Sequence, residues 1–158
     1  MPKESKQTER LKKYLKSVWY WDKKKDYLSE KILKLRSRAE KITTTYSDAP
    51  SFGGFEDHRQ AIIAEMVDTQ RKYETAIREC NIKLAELRFF IGQLESYKEG
   101  YQECLVMEMR YLCFENWQDI ALKLNYSEQM IYYIHGKALL HLLEIHKKII
   151  EFGGKELF

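Results

Sequence analysis

Between Leu11 and Ile42 the apolar positions recur in alternating steps of three and four: Leu11, Tyr14, Val18, Trp21, Leu28, Ile32, Leu35, Ala39 and Ile42, with Lys25 the one polar member of the series. This alternation is the seam of a coiled coil and predicts a helix over about 8–42, with Leu15 and Trp19 adding a second apolar face. A run of three threonines (Thr43–Thr45), Pro50 and the pair Gly53-Gly54 then interrupt the pattern, predicting a loop over 43–56 with Asp57 as the cap of the next helix. The second seam reads Ile63, Met66, Gln70, Tyr73, Ile77, Cys80, Leu84, Leu87, Ile91 and Leu94, and predicts a helix over 57–96. Two long helices joined by a short loop fold back as an antiparallel hairpin. The basic flank of the first helix and the acidic flank of the second favour that pairing, while the same seams allow a homodimer through the hairpin.

Gly100 ends the second seam, and shorter helices are expected at about 101–113, 117–124 and 128–151. The chain thus reads as all-α in two parts, a helical hairpin over 1–97 and a second domain over 98–158. Gly153-Gly154 marks a helix stop, after which a frayed tail is expected.

Composition narrows the function. The 158 residues carry 27 Lys plus Arg and 24 Asp plus Glu, a formal net charge of +3. That total conceals a gradient: 14 basic and 6 acidic side chains give +8 over 1–41, 7 and 10 give −3 over 42–100, and 6 and 8 give −2 over 101–158. No apolar run approaches the roughly 20 residues of a membrane span, and the N-terminus has no apolar signal core, so a soluble protein of the cytoplasm, without a membrane partner, is expected. Cys80, Cys104 and Cys113 form an odd set with no Cys-x-x-Cys pair, which argues against a disulfide framework or a structural metal and for a reducing compartment. Cys104 and Cys113 read as buried small hydrophobes, and His135, His141 and His146 as helix-surface residues without a metal. No Gly-rich phosphate loop, paired-His metal motif or nucleophile with a placed base occurs, so neither an enzyme nor a cofactor is expected.

The informative stretch runs from Asn116 to Leu142. Asn116 caps a short helix with Ile120, Ala121 and Leu124 inward, Asn125-Tyr126 makes a tight turn, and Ser127 caps a longer helix with Ile131 and Ile134 inward. A small residue at position 121 allows the close crossing that a helix-turn-helix requires. If the second helix enters a major groove, Ser127, Glu128, Gln129, Tyr132 and Tyr133 lie at its exposed beginning. Gln129 then suits adenine N6/N7, either tyrosine a thymine methyl or a phosphate, and Lys137 a phosphate, with Arg110 and Lys123 as supports. Adjacent residues diverge by about 100° on a helix, so one of Tyr132 and Tyr133 is expected to pack and the other to reach outward. Trp117 reads as a staple for the first motif helix. Trp19, Trp21 and the run Lys23-Lys24-Lys25 read first as packing and as a solvated face, and second as a stacking and phosphate-binding surface.

The segment Leu105–Leu112 followed by Trp117–Ala121 resembles the start of sigma-factor region 4, and Ser127–Leu139, ending in Lys137-Ala138-Leu139, resembles its recognition helix. With the long first helix, the Thr-rich Tyr46–Pro50 loop and the second long helix, the chain resembles the small sigma-70-region-4-like proteins of Gram-positive phages and prophages, related to the ArpU-type late-transcription regulators. The resemblance implies a transcription regulator that binds double-stranded DNA and acts with the host RNA polymerase in the bacterial cytoplasm. Where sigma region 4 opens its recognition helix with arginines that read the −35 element, this chain has Glu128, Gln129, Met130, Tyr132 and Tyr133. Two other readings stand beside it. A small terminase subunit also joins a helix-turn-helix to an oligomerising helical part, and a polymerase-binding interaction protein without direct DNA affinity would explain the net −2 over 101–158.

Overall fold

The computed structural model describes residues 5–46 and 53–158. Among them the regular structure is entirely helical, in the order α1 (Lys6–Tyr46), α2 (Gly53–Gly92), a 3₁₀ turn (Gln93–Ser96), α3 (Gly100–Met107) continuing into a π-helical turn (Glu108–Leu112), α4 (Trp117–Leu124) and α5 (Glu128–Glu151). The all-α class expected from the two periodicities is what the chain adopts. No helix among the described residues is long and apolar enough to cross a membrane.

Every position of the two expected seams is buried or half-buried. The expected loop is shorter than 43–56, because 43–46 and 53–56 are helical; the remainder, 47–52 with Pro50, lies outside the described residues. Threonine extends α1 by bonding back into it: Thr43 Oγ1 donates to the Ala39 carbonyl at 2.9 Å and Thr44 Oγ1 to the Glu40 carbonyl at 3.0 Å. Asp57 is consequently inside α2 and does not cap it.

The chain forms two compact units, one running through Trp21 and resuming over Lys83–Phe158, the other covering Asp22–Ile82. This differs from the expected division at 97–98, and the reason is apolar. Leu11 and Leu15 of α1, with Phe90 and Ile91 of α2, share one core with Leu94, Cys104, Met107, Tyr111, Ala138, Leu139, Leu142 and Ile145. The base of the hairpin therefore folds with the C-terminal helices. Val18, Leu84 and Leu87 extend that packing between α1 and α2. In the Asp22–Ile82 unit, Leu28 and Ile32 of α1 and Met66 and Cys80 of α2 are buried, and Arg36 lies 3.9 Å from Glu74. With only two helices present, each buries a single stripe, and the outer seam positions Leu35, Ala39, Ile63 and Ile77 remain half-buried.

Gly100 fixes the turn between the 3₁₀ segment and α3. A Cβ there would stand 1.7 Å from the Leu94 carbonyl oxygen and 2.6 Å from its carbon, so only glycine permits this backbone approach. Gly136, within α5, has no atom within 4 Å of such a Cβ.

The C-terminus is docked, contrary to the expected fraying. Gly153, at φ 81°, ends α5 in a Schellman motif: its N–H donates to the Ile150 carbonyl at 3.0 Å and that of Gly154 to the Ile149 carbonyl at 2.8 Å. The Leu157 N–H then donates to Nε2 of His146 at 3.1 Å, and the Phe158 ring stacks on that imidazole at 4.0 Å and meets Tyr14 at 5.5 Å. His146 and His135 are thus buried, correcting their expected surface positions, because aromatic rings and hydrogen-bond partners cover them. Cys104 is buried as expected, and burial pushes its thiol up to about 12, whereas Cys113 is exposed. Trp19 is exposed as well, at 56%, while Trp21, on the seam, is half-buried.

Two measurements check this account. Gly100→Ala should lower stability by about 1–3 kcal/mol or more, and Gly136→Ala should raise it by about 0.5–1 kcal/mol, both read from urea denaturation. Burial holds the His146 imidazole below its ordinary 6.5. The unfolded chain therefore takes up this proton more readily than the folded one, so the associated stability is full above about pH 6.5 and is lost as pH falls below it. The melting temperature should decline between pH 7 and pH 5, less steeply in His146→Gln, whose amide oxygen can still accept the Leu157 N–H.

Candidate nucleic-acid interface

Both motif helices begin and end on local chemistry that the sequence supplies. Asn116 Oδ1 accepts the Asp119 N–H at 2.8 Å while its Nδ2 donates to the Asp119 carboxylate at 2.6 Å, a reciprocal cap on α4. Asn125 ends α4 at φ 56° and ψ 43°, the left-handed region that asparagine tolerates, and the Tyr126 N–H closes the turn on the Ala121 carbonyl at 3.0 Å. Ser127 Oγ then accepts the Met130 N–H at 3.2 Å and starts α5.

The helices share a core of Val106, Met109, Ile120, Ala121 (5% exposed), Ile131 and Ile134. This packing turns the opposite face of α5 outward, leaving Ser127, Glu128, Gln129, Met130, Tyr132 and Tyr133 exposed. Tyr132 leans on Trp117, with ring centroids 5.2 Å apart, while Tyr133 projects and is 61% exposed. Trp117 also meets His135 edge-on at 4.8 Å, and the buried Nε2 of His135 lies 3.0 Å from the Tyr111 hydroxyl. The outer face of α5 is thereby braced from behind by aromatic contacts and hydrogen bonds.

The cations are placed differently from the simple phosphate contacts expected. Arg110 stands 4.5 Å over the Trp117 ring and donates to the Glu115 carbonyl at 2.8 Å, and Lys123 pairs with the Glu115 carboxylate at 2.7 Å, so Glu115 draws these two together. Lys137 donates to Glu99 at 2.8 Å, lies 3.9 Å from Glu103, and sits 5.8 Å from the Tyr133 ring centroid. Glu99, hydrogen-bonded to Lys137, is held below the ordinary carboxylate range, while hydrogen bonds to Glu99 and Glu115 raise Lys137 and Lys123 respectively. Beneath Lys137, Glu103 is 2% exposed and accepts from His141 Nδ1 at 2.6 Å, and His141 stacks on Tyr97 at 4.0 Å. Each candidate cation therefore has an intramolecular acceptor.

Glu99, Glu103 and Glu115 are the participants that sequence reasoning missed. Lys137 and Glu99 stand 38 residues apart, as do His141 and Glu103, so no local spacing announces them. Met130, 39% exposed, and Leu122, 81% exposed, also extend the outer surface, of which Leu122 was not expected there. The exposed set offers a side-chain amide, a carboxylate and a phenol, which suit adenine, the cytosine amino group and phosphate respectively. Among the described residues no group of three or more His, Cys, Asp or Glu is placed to hold a metal ion. Comparison with protein-family models, curated proteins and solved structures found no match.

The crossing supplies its own test. Ala121→Leu forces a bulky side chain into the contact and should cost about 1–3 kcal/mol in chemical denaturation.

Proposed function

We propose that the protein is a DNA-binding transcription regulator whose helix-turn-helix places the start of α5 in the major groove of promoter DNA, acting together with the host RNA polymerase. The observation that carries this reading is the capped α4–α5 pair, whose Ile120, Ala121, Ile131 and Ile134 turn inward while Gln129 and Tyr133 stand outward. The resemblance to phage and prophage region-4-like regulators adds the polymerase and the bacterial setting. No group in this surface calls for catalysis.

A second reading, an interaction protein that docks polymerase without holding DNA, draws support from the pairing of Lys137 with Glu99 and of Lys123 with Glu115. Both pairs mute the positive field that a duplex needs. The small-terminase reading remains open to a measurement of size in solution: a closed ring of many copies favours packaging, and a monomer or dimer favours the regulator.

The deciding experiment titrates the full chain with duplex DNA flanking its own coding sequence. For the regulator, log affinity falls against log salt with a slope of about −0.9 per phosphate contacted. Gln129→Ala should cost about 1–3 kcal/mol on the preferred site and little elsewhere. Glu99→Gln, by releasing Lys137, should tighten binding to all sequences and steepen the slope by about one unit. A folded sample that fails to bind at about 50 mM salt would leave the interaction reading, which capture of RNA polymerase then tests.

A further inference from the structure

The sector of α1 flanking its seam in the Asp22–Ile82 unit carries Lys23, Lys24, Tyr27, Lys31, Lys34, Arg38 and Lys41. At about 100° per residue these seven positions fall within roughly 100° of arc, forming a continuous row along the helix. Every carboxylate of this stretch (Asp22, Asp26, Glu30 and Glu40) lies outside that arc. Lys23, Tyr27, Lys34, Arg38 and Lys41 are exposed, and Lys31 lies 5.1 Å from the centroid of the Tyr27 ring.

The row works against its own helix. Lys31 with Lys34, Lys34 with Arg38, and Arg38 with Lys41 are like charges at i,i+3 or i,i+4 spacing, an arrangement that destabilises a helix. Lys34 is partly compensated by Glu30 at 2.5 Å, and Lys23 by Asp26 at 3.8 Å; among the described residues no carboxylate lies within 4 Å of Arg38 or Lys41. Meanwhile the three cations of the helix-turn-helix region are occupied by Glu99 and Glu115 or by the Trp117 ring. Arg38 and Lys41 of α1 thus differ from Lys123 and Lys137, each of which has a carboxylate partner.

We infer that this stripe is a phosphodiester-binding surface that supplies the sequence-independent grip on a DNA duplex, an inference that rests on the DNA-binding reading above. From Lys23 to Lys41 the row extends about 27 Å at 1.5 Å per residue, a length comparable to about eight base pairs at 3.4 Å each. A straight, single-sign row with an interleaved phenol suits a regularly charged polymer. A membrane surface suits it less: a helix lying in a bilayer interface inserts an apolar face, and here Leu28 and Ile32 on the apolar face of α1 are already buried.

The test measures fluorescence anisotropy of a labelled duplex of mixed sequence with the full chain, between about 50 and 200 mM salt. The variant is Lys31→Gln, Lys34→Gln, Arg38→Gln and Lys41→Gln combined, with helicity checked by circular dichroism; the double variant Lys34→Gln with Arg38→Gln serves if the first does not fold. The salt slope should shrink by about 3.6 units in the first and about 1.8 in the second, at about 0.9 per lost phosphate contact, with affinity reduced at least tenfold. Retention of the wild-type slope in a folded variant overturns the stripe while leaving the α5 reading intact, as does tighter binding to anionic lipid vesicles than to DNA. Absence of wild-type binding to any duplex overturns the reading on which the stripe rests.

Discussion

The core shared by Leu11, Leu15, Phe90, Ile91, Leu94, Ala138, Leu139 and Leu142 is the packing from which the rest of this unit follows. These residues come from the beginning, middle and end of the chain, and Leu11, Leu15, Ile91, Leu94, Ala138 and Leu142 are fully excluded from water. Burying a leucine-sized side chain is worth about 1.5–3 kcal/mol, so a dozen such residues hold α5 against the hairpin base far more firmly than surface ion pairs could. With α5 fixed along its length, its first two turns have only one inward face to offer α4. The outward direction of Gln129 and Tyr133 is a consequence of that core, as is the docking of Phe158 beside it.

What the sequence disclosed and what it hid divide along a physical line. Periodicity made both seams legible, because a helix that buries one stripe must repeat its apolar residues every three or four positions. Caps made α4 and α5 legible to the residue, because Asn116, Asn125 and Ser127 act on their own neighbours. Contacts that join distant segments had no local signature. The core uniting Leu11 with Leu142, the Glu99–Lys137 and Glu103–His141 pairs, and the docking of Leu157 and Phe158 on His146 all depend on closing long stretches of chain. For the same reason the sequence drew its boundary at a glycine after Tyr97, whereas the fold places Lys83–Gly92 with the C-terminal helices. Helix ends were misjudged where side chains rescue the backbone, as Thr43 and Thr44 do for α1.

The charge gradient acquires a physical meaning from these pairs. Residues 101–158 are slightly acidic, and Lys123 is held by Glu115 and Lys137 by Glu99 and Glu103, so on the proposed reading the outer face of α5 would discriminate among bases or partner surfaces more than attract a polyanion. The +8 of residues 1–41 is concentrated on α1, whose apolar side is taken up by α2 and whose charged side is left to solvent. Specific contacts on one helix and electrostatic grip on another would be separable by mutation, since no residue serves both.

The most direct test of the central claim, that the outer face of α5 contacts DNA, is an NMR titration of isotopically labelled protein with duplex carrying its preferred site. The account predicts shift changes at the backbone amides of Glu128, Gln129, Tyr132 and Tyr133 and at the Gln129 side-chain amide, with little change at Ile131 and Ile134 beneath them. Saturating duplex that leaves residues 127–137 unmoved, whatever shifts elsewhere, would contradict it.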